Sequence, residues 1–507
     1  MKIVTSVETM RYSDAETIRQ GVDSKELMYR AGMGLFHAYP WQGRTAIVCG
    51  SGNNAGDGYV LALLLQKHGI DCTLILLSDR FSADGAYYYE QCKKAGIPSV
   101  NYTASVNFLQ YREIVDCILG TGFSGEVKGI YADVIKKINA SDCYTVSADI
   151  NSGLDGGNGQ GTLAVRSDLT VSFGFYQYGH FLGFAKDLMK RKVNIDIGIR
   201  LHGEHASLVE ADDFTDILKP RRQASHKGSY GYVVLMGGCR EYAGAAKLAN
   251  MSCAALRSGC GVATLAVPNA IADSVAPYLL ESTLAPMPDQ NGHMIADFDA
   301  IDRLLSKKSA LGVGMGWGQS EAYASILTHI LEHHELSLVI DADGLNTLAK
   351  MDQTALKSTK CHVLLTPHLM EFSRLSGHSI KEIEADPIGL AKQYAAKMHV
   401  VLLLKGACTV VTDGKEVLLI DRGCAGMATA GSGDVLSGIL TGLVGYNTLT
   451  PKVAACGAYI AGLAGELAQG EENPISMLAS DTVRCISKAI SMMIKGIKNG
   501  SYETPRA

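Results

Sequence analysis

TAIVCGSGNNAGDGYVLALLLQKHG, residues 45–69, runs from a short apolar stretch through a glycine-rich turn into a long apolar segment. The first part, TAIVCG (45–50), reads as a buried strand. The last part, GDGYVLALLLQKHG (56–69), reads as a helix ending at Gly69. A strand feeding a helix through such a turn opens a βαβ unit, and repetition of that unit builds a parallel sheet with helices on both faces. The repetition is present: DCTLILLS (71–78), EIVDCILGTG (113–122), CYTVSADI (143–150), LTVSFGF (169–175) and VNIDIGI (193–199) read as further strands.

Working outward, the texture changes at 200–225, which is polar, mixed in charge and carries Pro220. A linker is expected there. A second α/β series starts at GYVVLMGG (231–238) and continues through ALGVGMG (310–316), LSLVIDADGLNTL (336–348), CHVLLTPH (361–368) and VVLLLKGACTVVTDG (400–414). The two series show no obvious repeat of each other. With 507 residues, the chain is therefore expected to form two unrelated α/β domains, 1–215 and 216–507. The tail KNGSYETPRA (498–507) reads as frayed.

Hydrophobic residues make up 47% and charged residues 19%, enough apolar content for a full core in each half. A net charge of −5 offers no electrostatic footprint for nucleic acid and no basic patch for a membrane. The 13 cysteines contain no CxxC pair, so reduced thiols are expected rather than a disulfide framework or a structural zinc site. The opening MKIVTSVETMRYSDAETI lacks the apolar core of a signal peptide, and no run of about 18 uncharged apolar residues occurs. A cytoplasmic protein with small-molecule partners is the expectation, with a homo-oligomer as its assembly.

The turn CGSGNNAGDG superficially follows the GxGxxG pattern of dinucleotide loops, but NNAGD sets it apart. Asn53, Asn54 and Asp57 add amides and a carboxylate where a phosphate loop leaves bare backbone N–H groups. Such oxygens suit a hard cation or a sugar hydroxyl; equally, Asp57 could simply cap the helix. Two more strands end in the same way. DCILGTGFSGE (116–126) places Asp116 in a strand before a glycine loop, and SADINSGLDGGNG (147–159) places Asp149 at a strand's carboxyl end, followed by Ser152. In open α/β sheets the ligand crevice lies outside those ends, so three polar loops are expected to converge.

These motifs resemble the NAD(P)HX epimerase family, which interconverts the R and S forms of hydrated nicotinamide cofactors. The likeness covers roughly residues 10–199 and implies a Rossmann-like doubly wound sheet. It implies that Asn53, Asn54, Ala55, Gly56 and Asp57, together with Gly120, Thr121, Gly122, Phe123, Ser124, Gly125 and Glu126, line the substrate site. It implies that Asp149 acts as acid/base at the hydrated ring, and that Asn54, Asp116 and Ser152 hold K+. Three positions depart from the family pattern: Ala55 stands for a glycine, Asn151 for a proline and Gln177 for a lysine. The last removes a positive charge near a phosphate-bearing ligand.

A second glycine loop that ends in an acid lies in AGMATAGSGDVLSG (425–438). Gly431 and Gly433 let the backbone approach a phosphate, and the helix expected to begin near Asp434 favours anions at its N-terminus. A carboxylate there opposes a bound phosphate unless it also takes the proton of an attacking hydroxyl. Backbone N–H groups then hold the charge that develops on the phosphoryl group. The other reading is a helix cap with packing glycines. No GK[ST] follows, so this is not a Walker A loop; it is similar to the GxGD anion hole of ribokinase-like enzymes.

LTPHLME (365–371), KGACT (405–409) and GMATAGSGDVLSG (426–438), in that order, resemble the ADP/ATP-dependent NAD(P)HX dehydratases, a ribokinase-like α/β/α family, over about 226–500. The resemblance implies that Lys405, Gly406, Ala407, Cys408, Thr409 and Gly433 bind the adenine nucleotide, with Mg2+ accompanying ADP. It implies that Asp434, His368, Gly316 and Ala245 face the hydrated cofactor, whose hydroxyl is phosphorylated and then lost as phosphate. The fused pair resembles the bifunctional NAD(P)H-hydrate repair family, with NADHX and NADPHX as substrates and ADP as the expected donor. The alternative is a ribokinase-like kinase of a vitamin or small sugar carrying a non-catalytic N-terminal binding module.

Overall fold

The computed structural model describes residues 1–254 and 257–499. The chain divides into two compact units: Ile3–Ala206, and Ser207–Ala507 with Met1–Lys2. The division falls nine residues before the expected 215/216 boundary, for a reason visible in the packing. Ser207 and Leu208 pair in parallel with Leu418 and Leu419, and Phe214 is fully buried edge-on against Tyr459. The first half of the polar linker stretch is thus part of the second unit. Most of the expected frayed tail lies outside the described residues; Lys498 and Asn499 close the helix Ala479–Asn499.

In the first unit a seven-stranded parallel sheet runs, edge to edge, Ser99–Asn101, Cys72–Leu76, Thr45–Cys49, Glu113–Cys117, Tyr144–Ala148, Leu169–Phe173 and Lys192–Ile195. The chain starts in the middle, builds to one edge, then returns to the other side of Thr45–Cys49. Such a reversal opens a crevice between the carboxyl ends of the two strands where it occurs, here Thr45–Cys49 and Glu113–Cys117. The helix Asn53–Lys67 opens off that crevice, three residues earlier than its apolar pattern indicates. It is buried nearly all round, as expected of a helix covering a parallel sheet.

The second unit repeats the plan: Thr283–Met287, Val262–Pro268, Tyr232–Met236, Ala310–Val313, Ser337–Ile340, His362–Leu365 and Val401–Leu404 are parallel, followed by the antiparallel strands Thr409–Thr412 and Val417–Ile420. Several strands escape the sequence reading, among them Ser99–Asn101, Val262–Pro268, Thr283–Met287 and Val417–Ile420. Thr283–Met287 carries Pro286, which a strand tolerates at a sheet edge, the place it occupies. The helix Pro451–Glu471, rich in Ala and Gly, packs inside the core with Ser432–Val444 and Ala479–Asn499. Thr450 Oγ1 caps it, accepting from Val453 N at 3.3 Å, and Pro451 occupies its first turn.

Candidate active sites

The crevice of the first unit is a cavity of about 700 Å³ lined by Asn53, Asn54, Asp57, Gly120 to Phe123, Asp149 and Gln177, with Met10, Arg11, Asp14 and Met28 among the remaining walls. Asp149 follows the strand Tyr144–Ala148 with φ +63°, a left-handed conformation that a non-glycine residue holds only when its surroundings impose it. Three hydrogen bonds do so. Its N–H donates to Val171 O at 2.8 Å, its Oδ2 accepts from Thr121 N at 2.9 Å, and its carbonyl accepts from His180 Nε2 at 2.8 Å. His180 is fully buried and its other ring nitrogen accepts from Gln177 N at 3.1 Å, an arrangement that leaves the proton on Nε2. Burial holds this imidazole below its ordinary pKa, so it stays neutral. Gly120 is required by the same geometry: a Cβ there would sit 2.9 Å from Asp149 Oδ2.

Asp57 lies within the helix Asn53–Lys67, whose N-cap is Gly52, so it does not cap. Burial, then the Asp149 and Asp14 carboxylates, push its pKa well above the usual carboxylate range. Asp57 is thereby held towards its neutral, proton-bearing form in a cavity it shares with Asp149.

Beneath the cavity floor Asp116 and Ser152 are fully buried. Asp116 Oδ2 accepts from Ser147 Oγ and Ser152 N, both at 2.9 Å, and Ser152 Oγ donates to Asp116 Oδ1 at 2.5 Å. Asn54 Nδ2 donates to Leu119 O at 3.1 Å, Leu119 N donates to Ser152 Oγ at 2.8 Å and Ile118 N donates to Asp116 Oδ1 at 3.3 Å, so the three side chains gather around the backbone of Ile118 and Leu119. Asn54 Oδ1 is buried with no hydrogen-bond partner. Of the other sequence-derived residues, Ala55 and Gly56 are buried within the helix away from the cavity lining, Ser124 is exposed, and Gly125 and Glu126 turn to a separate depression. Asn151 is fixed by hydrogen bonds to Val165 O, Ser167 Oγ and Thr170 Oγ1 at 2.8, 3.0 and 2.6 Å. Gln177 Nε2 donates to Phe175 O at 2.7 Å, which leaves its buried Oε1 unpartnered.

In the second unit the carboxyl ends of three adjacent strands meet the N-terminus of the helix Ser432–Val444. Lys405, after Val401–Leu404, places Nζ 2.8 Å from Asp341 Oδ1 and 3.7 Å from Glu371 Oε2. Asp341 Oδ2 accepts from Ser437 Oγ at 2.7 Å. Burial raises the Asp341 carboxyl, but Lys405 and the hydroxyls of Ser437 and Thr366 outweigh it and leave the pKa below its ordinary value. Glu371 is raised, chiefly by burial. A side chain carried by Gly433 would meet Asp341 Oδ2 at 3.6 Å and Lys405 Nζ at 3.7 Å, which puts that glycine over the charged cluster.

Asp434, one residue on, is the third helical residue behind the N-cap Gly431 and makes no cap. Burial, then Asp341, raise its pKa, with Lys405 opposing, to about 7. His368 Nδ1 accepts from Met370 N and Glu371 N at 3.1 and 3.2 Å, capping the helix Leu369–Ser376, while Glu371 Oε2 accepts from His368 N at 2.8 Å. Gly316, φ +65°, would clash through a Cβ with Tyr242 O at 2.6 Å and Ala245 Cβ at 2.8 Å, so Gly316 and Ala245 adjoin. Gly406 and Ala407 form an exposed turn, Cys408 points inward, and Thr409 starts the antiparallel strand. Ala342 is held at φ +47° between Asp341 and Asp343, a strained conformation at the strand end.

Sequence reasoning missed His180, Asp341 and Glu371. The polar runs YQYGH, IDADG and PHLME were visible, but none announces its partner, which lies 31, 64 and 34 residues away in Asp149, Lys405 and Lys405.

Residues 233–488 match the family described as NAD(P)H-hydrate dehydratase, and residues 24–179 match the YjeF-related protein N-terminus family. The chain is 32% identical over 495 residues to a bifunctional NAD(P)H-hydrate repair enzyme of Coxiella burnetii, covering 95% of this chain and 98% of the relative. It is 34% identical to one from Moorella thermoacetica, with 95% of each chain covered, and 33% identical to one from Escherichia coli, with 93% and 90% covered. A ribokinase-like superfamily protein from Enterococcus faecalis superposes with a TM-score of 0.51 at 22% identity, over 58% of this chain and 98% of that one, a likeness of fold. With the two family matches falling one in each compact unit, and relatives aligned along nearly the whole length, the chain belongs to the family of bifunctional NAD(P)H-hydrate repair enzymes.

Proposed function

We propose that the first unit epimerises R- and S-NAD(P)HX and that the second dehydrates S-NAD(P)HX to NAD(P)H, with ADP as phosphoryl donor. The observation that carries the reading is Asp434: an acid of pKa about 7 at a glycine-bounded helix N-terminus, beside the partly buried Lys405. A general base works best with a pKa near the working pH. Asp434 takes the proton from the ring hydroxyl as that oxygen attacks the terminal phosphorus of ADP, and the bond to the bridging oxygen of AMP breaks. Lys405 and the N–H groups around Gly433 neutralise the charge on the transferring group. The C–O bond to the phosphoryl group then breaks, inorganic phosphate leaves, the adjacent ring carbon gives up a proton to solvent, and the C=C bond of the reduced ring is restored. Lys405 stands among the carboxyl groups of Asp341, Glu371 and Asp434, an oxygen-rich setting that fits Mg2+ entering with the nucleotide. Bound there, Mg2+ would supply charge neutralisation at the phosphates.

In the first unit, inversion follows when a base takes the hydroxyl proton, the bond from that carbon to the ring nitrogen opens to leave a carbonyl, a donor protonates the nitrogen, and ring closure on the other face reverses both proton transfers. Asp149 and the neutral Asp57 carry those two roles. The unpartnered Asn54 Oδ1, with Asp116 and Ser152, is a set of oxygen donors that fits K+, which would supply positive charge beneath the substrate. The absence of any CxxC spacing in the sequence is in keeping with a cytoplasmic setting, and among the described residues no helix is long and apolar enough to cross a membrane. The test is the recovery of reduced-nicotinamide absorbance from mixed NADHX epimers with ADP and, separately, ATP. Accumulation of a stable phosphorylated product from a vitamin or sugar, with no recovery of NADH, would instead identify a small-molecule kinase.

A further inference from the structure

Away from both sites, the helices Phe298–Leu305 and Ala322–His333 touch through a small polar cluster. His329 Nε2 and His334 Nε2 both point at one oxygen, Asp302 Oδ1, at 2.7 and 2.9 Å. The three donor atoms lie within 4.8 Å of one another. We propose that Asp302, His329 and His334 form a binding site for one borderline divalent cation, of which zinc is the best match.

The donor set selects the metal class. Hard cations such as Mg2+ and Ca2+ favour oxygen-only shells, and Cu(I) and iron–sulfur clusters want thiolates. Two imidazole nitrogens and one carboxylate oxygen suit Zn2+, with a water in the fourth position. Tetrahedral zinc, with bonds of about 2.0–2.2 Å, separates its ligands by roughly 3.3 Å. A retreat of the half-exposed Asp302 carboxylate by about half an ångström opens that spacing to each imidazole, and the two imidazole nitrogens, within 4.8 Å of each other, close the third side of the triangle. The rings are also held in advance. Phe298 stacks on His329 with centroids 4.4 Å apart at 14°, and the backbone of His334 is fixed at the helix C-cap, its amide N–H donating to Ile330 O at 3.2 Å. Both imidazoles are largely buried, with 12% and 15% of the side chain exposed, so little rotamer freedom remains to be lost on binding.

The cluster sits at the end of the sheet remote from the chemistry. His334 precedes the strand Ser337–Ile340 and Asp341 follows it, and four strand residues span roughly 13 Å. The cation would clip the two helices together and leave turnover alone. The adjacent His333 has its ring 4.7 Å from that of His329 but directs Nε2 towards Glu332, at 3.8 Å, and serves as a control.

The experiment titrates chelator-stripped full-length protein with Zn2+ alone by calorimetry, and with Co2+ by visible spectroscopy. The expected result is one equivalent of Zn2+ bound, four-coordinate Co2+ bands, and a Tm raised by several degrees. The double variant His329→Gln/His334→Gln, and separately Asp302→Asn, should bind roughly 10–100-fold more weakly, the loss that even outer-shell partners produce, or worse. His333→Gln should bind as wild type, and all variants should keep wild-type dehydratase turnover. Absence of saturable zinc binding by the wild type would overturn the assignment, as would unchanged affinity in both the double variant and Asp302→Asn.

Discussion

Replacing Asp434 by Asn should exchange activity for stability, in a pH window fixed by its surroundings. Burial and the Asp341 carboxylate hold the Asp434 carboxyl at about 7, against 3.8 in the unfolded chain. The folded protein therefore keeps a proton that the unfolded chain releases, and stability falls as pH rises from about 4 to 7. The full penalty stands above 7 and vanishes below 4. At 1.36 kcal/mol per tenfold in acidity, the displacement amounts to ~4 kcal/mol as an upper bound. Partial solvent access and the lost attraction to Lys405 reduce what Asn recovers to about 1–2 kcal/mol. Asp434→Asn should therefore be more stable than wild type at pH 8 and indistinguishable at pH 4, read by denaturant unfolding. Its dehydratase kcat should fall roughly 10²–10⁴-fold, the usual range for loss of a general base, while the wild-type rate declines below pH 7. Near-normal turnover, or no gain in stability at pH 8, would refute the assignment of a strained, proton-holding base.

Lys405→Met leaves Asp341 and Glu371 buried without their cation, so it should destabilise the second unit by about 3–5 kcal/mol and abolish ADP binding by calorimetry. Asp149→Asn should leave dehydration intact but halt recovery of absorbance from mixed NADHX epimers once the S form is used; continued slow recovery at the wild-type rate would remove Asp149 from the epimerase. Epimerisation should be faster in K+ than in a K+-free buffer and indifferent to zinc chelators, and Asn54→Leu should erase that difference. His180→Ala should lower epimerase kcat with little change in KM by freeing the Asp149 carbonyl, whereas His180→Gln, whose amide can replace Nε2–H, should restore much of it. Because burial depresses the His180 pKa, the stability it contributes is present above about 6.5 and lost as pH falls below it, so the first unit should unfold more easily in mild acid.

The α/β plan was legible in the sequence because short apolar runs, glycine turns and long apolar helices alternate, and buried parallel strands announce themselves by continuous hydrophobicity. Asp149 and Asp434 were legible because an acid at a strand end or helix start stands where α/β sheets bind ligands. The bounds of the second unit were less so: polar residues around Phe214 masked a strand that only Leu418 and Leu419 complete. What the tertiary structure alone decided is company and protonation. Asp341, Glu371 and Lys405 follow three successive strands, 30 and 34 residues apart in the chain, and nothing local to one loop tells it which charge the next will bring. Their adjacency follows from strand order, a long-range property of the sheet. The neutral Asp57, the proton-holding Asp434 and the left-handed Asp149 depend in turn on how much water that assembly excludes and which charges it leaves nearby.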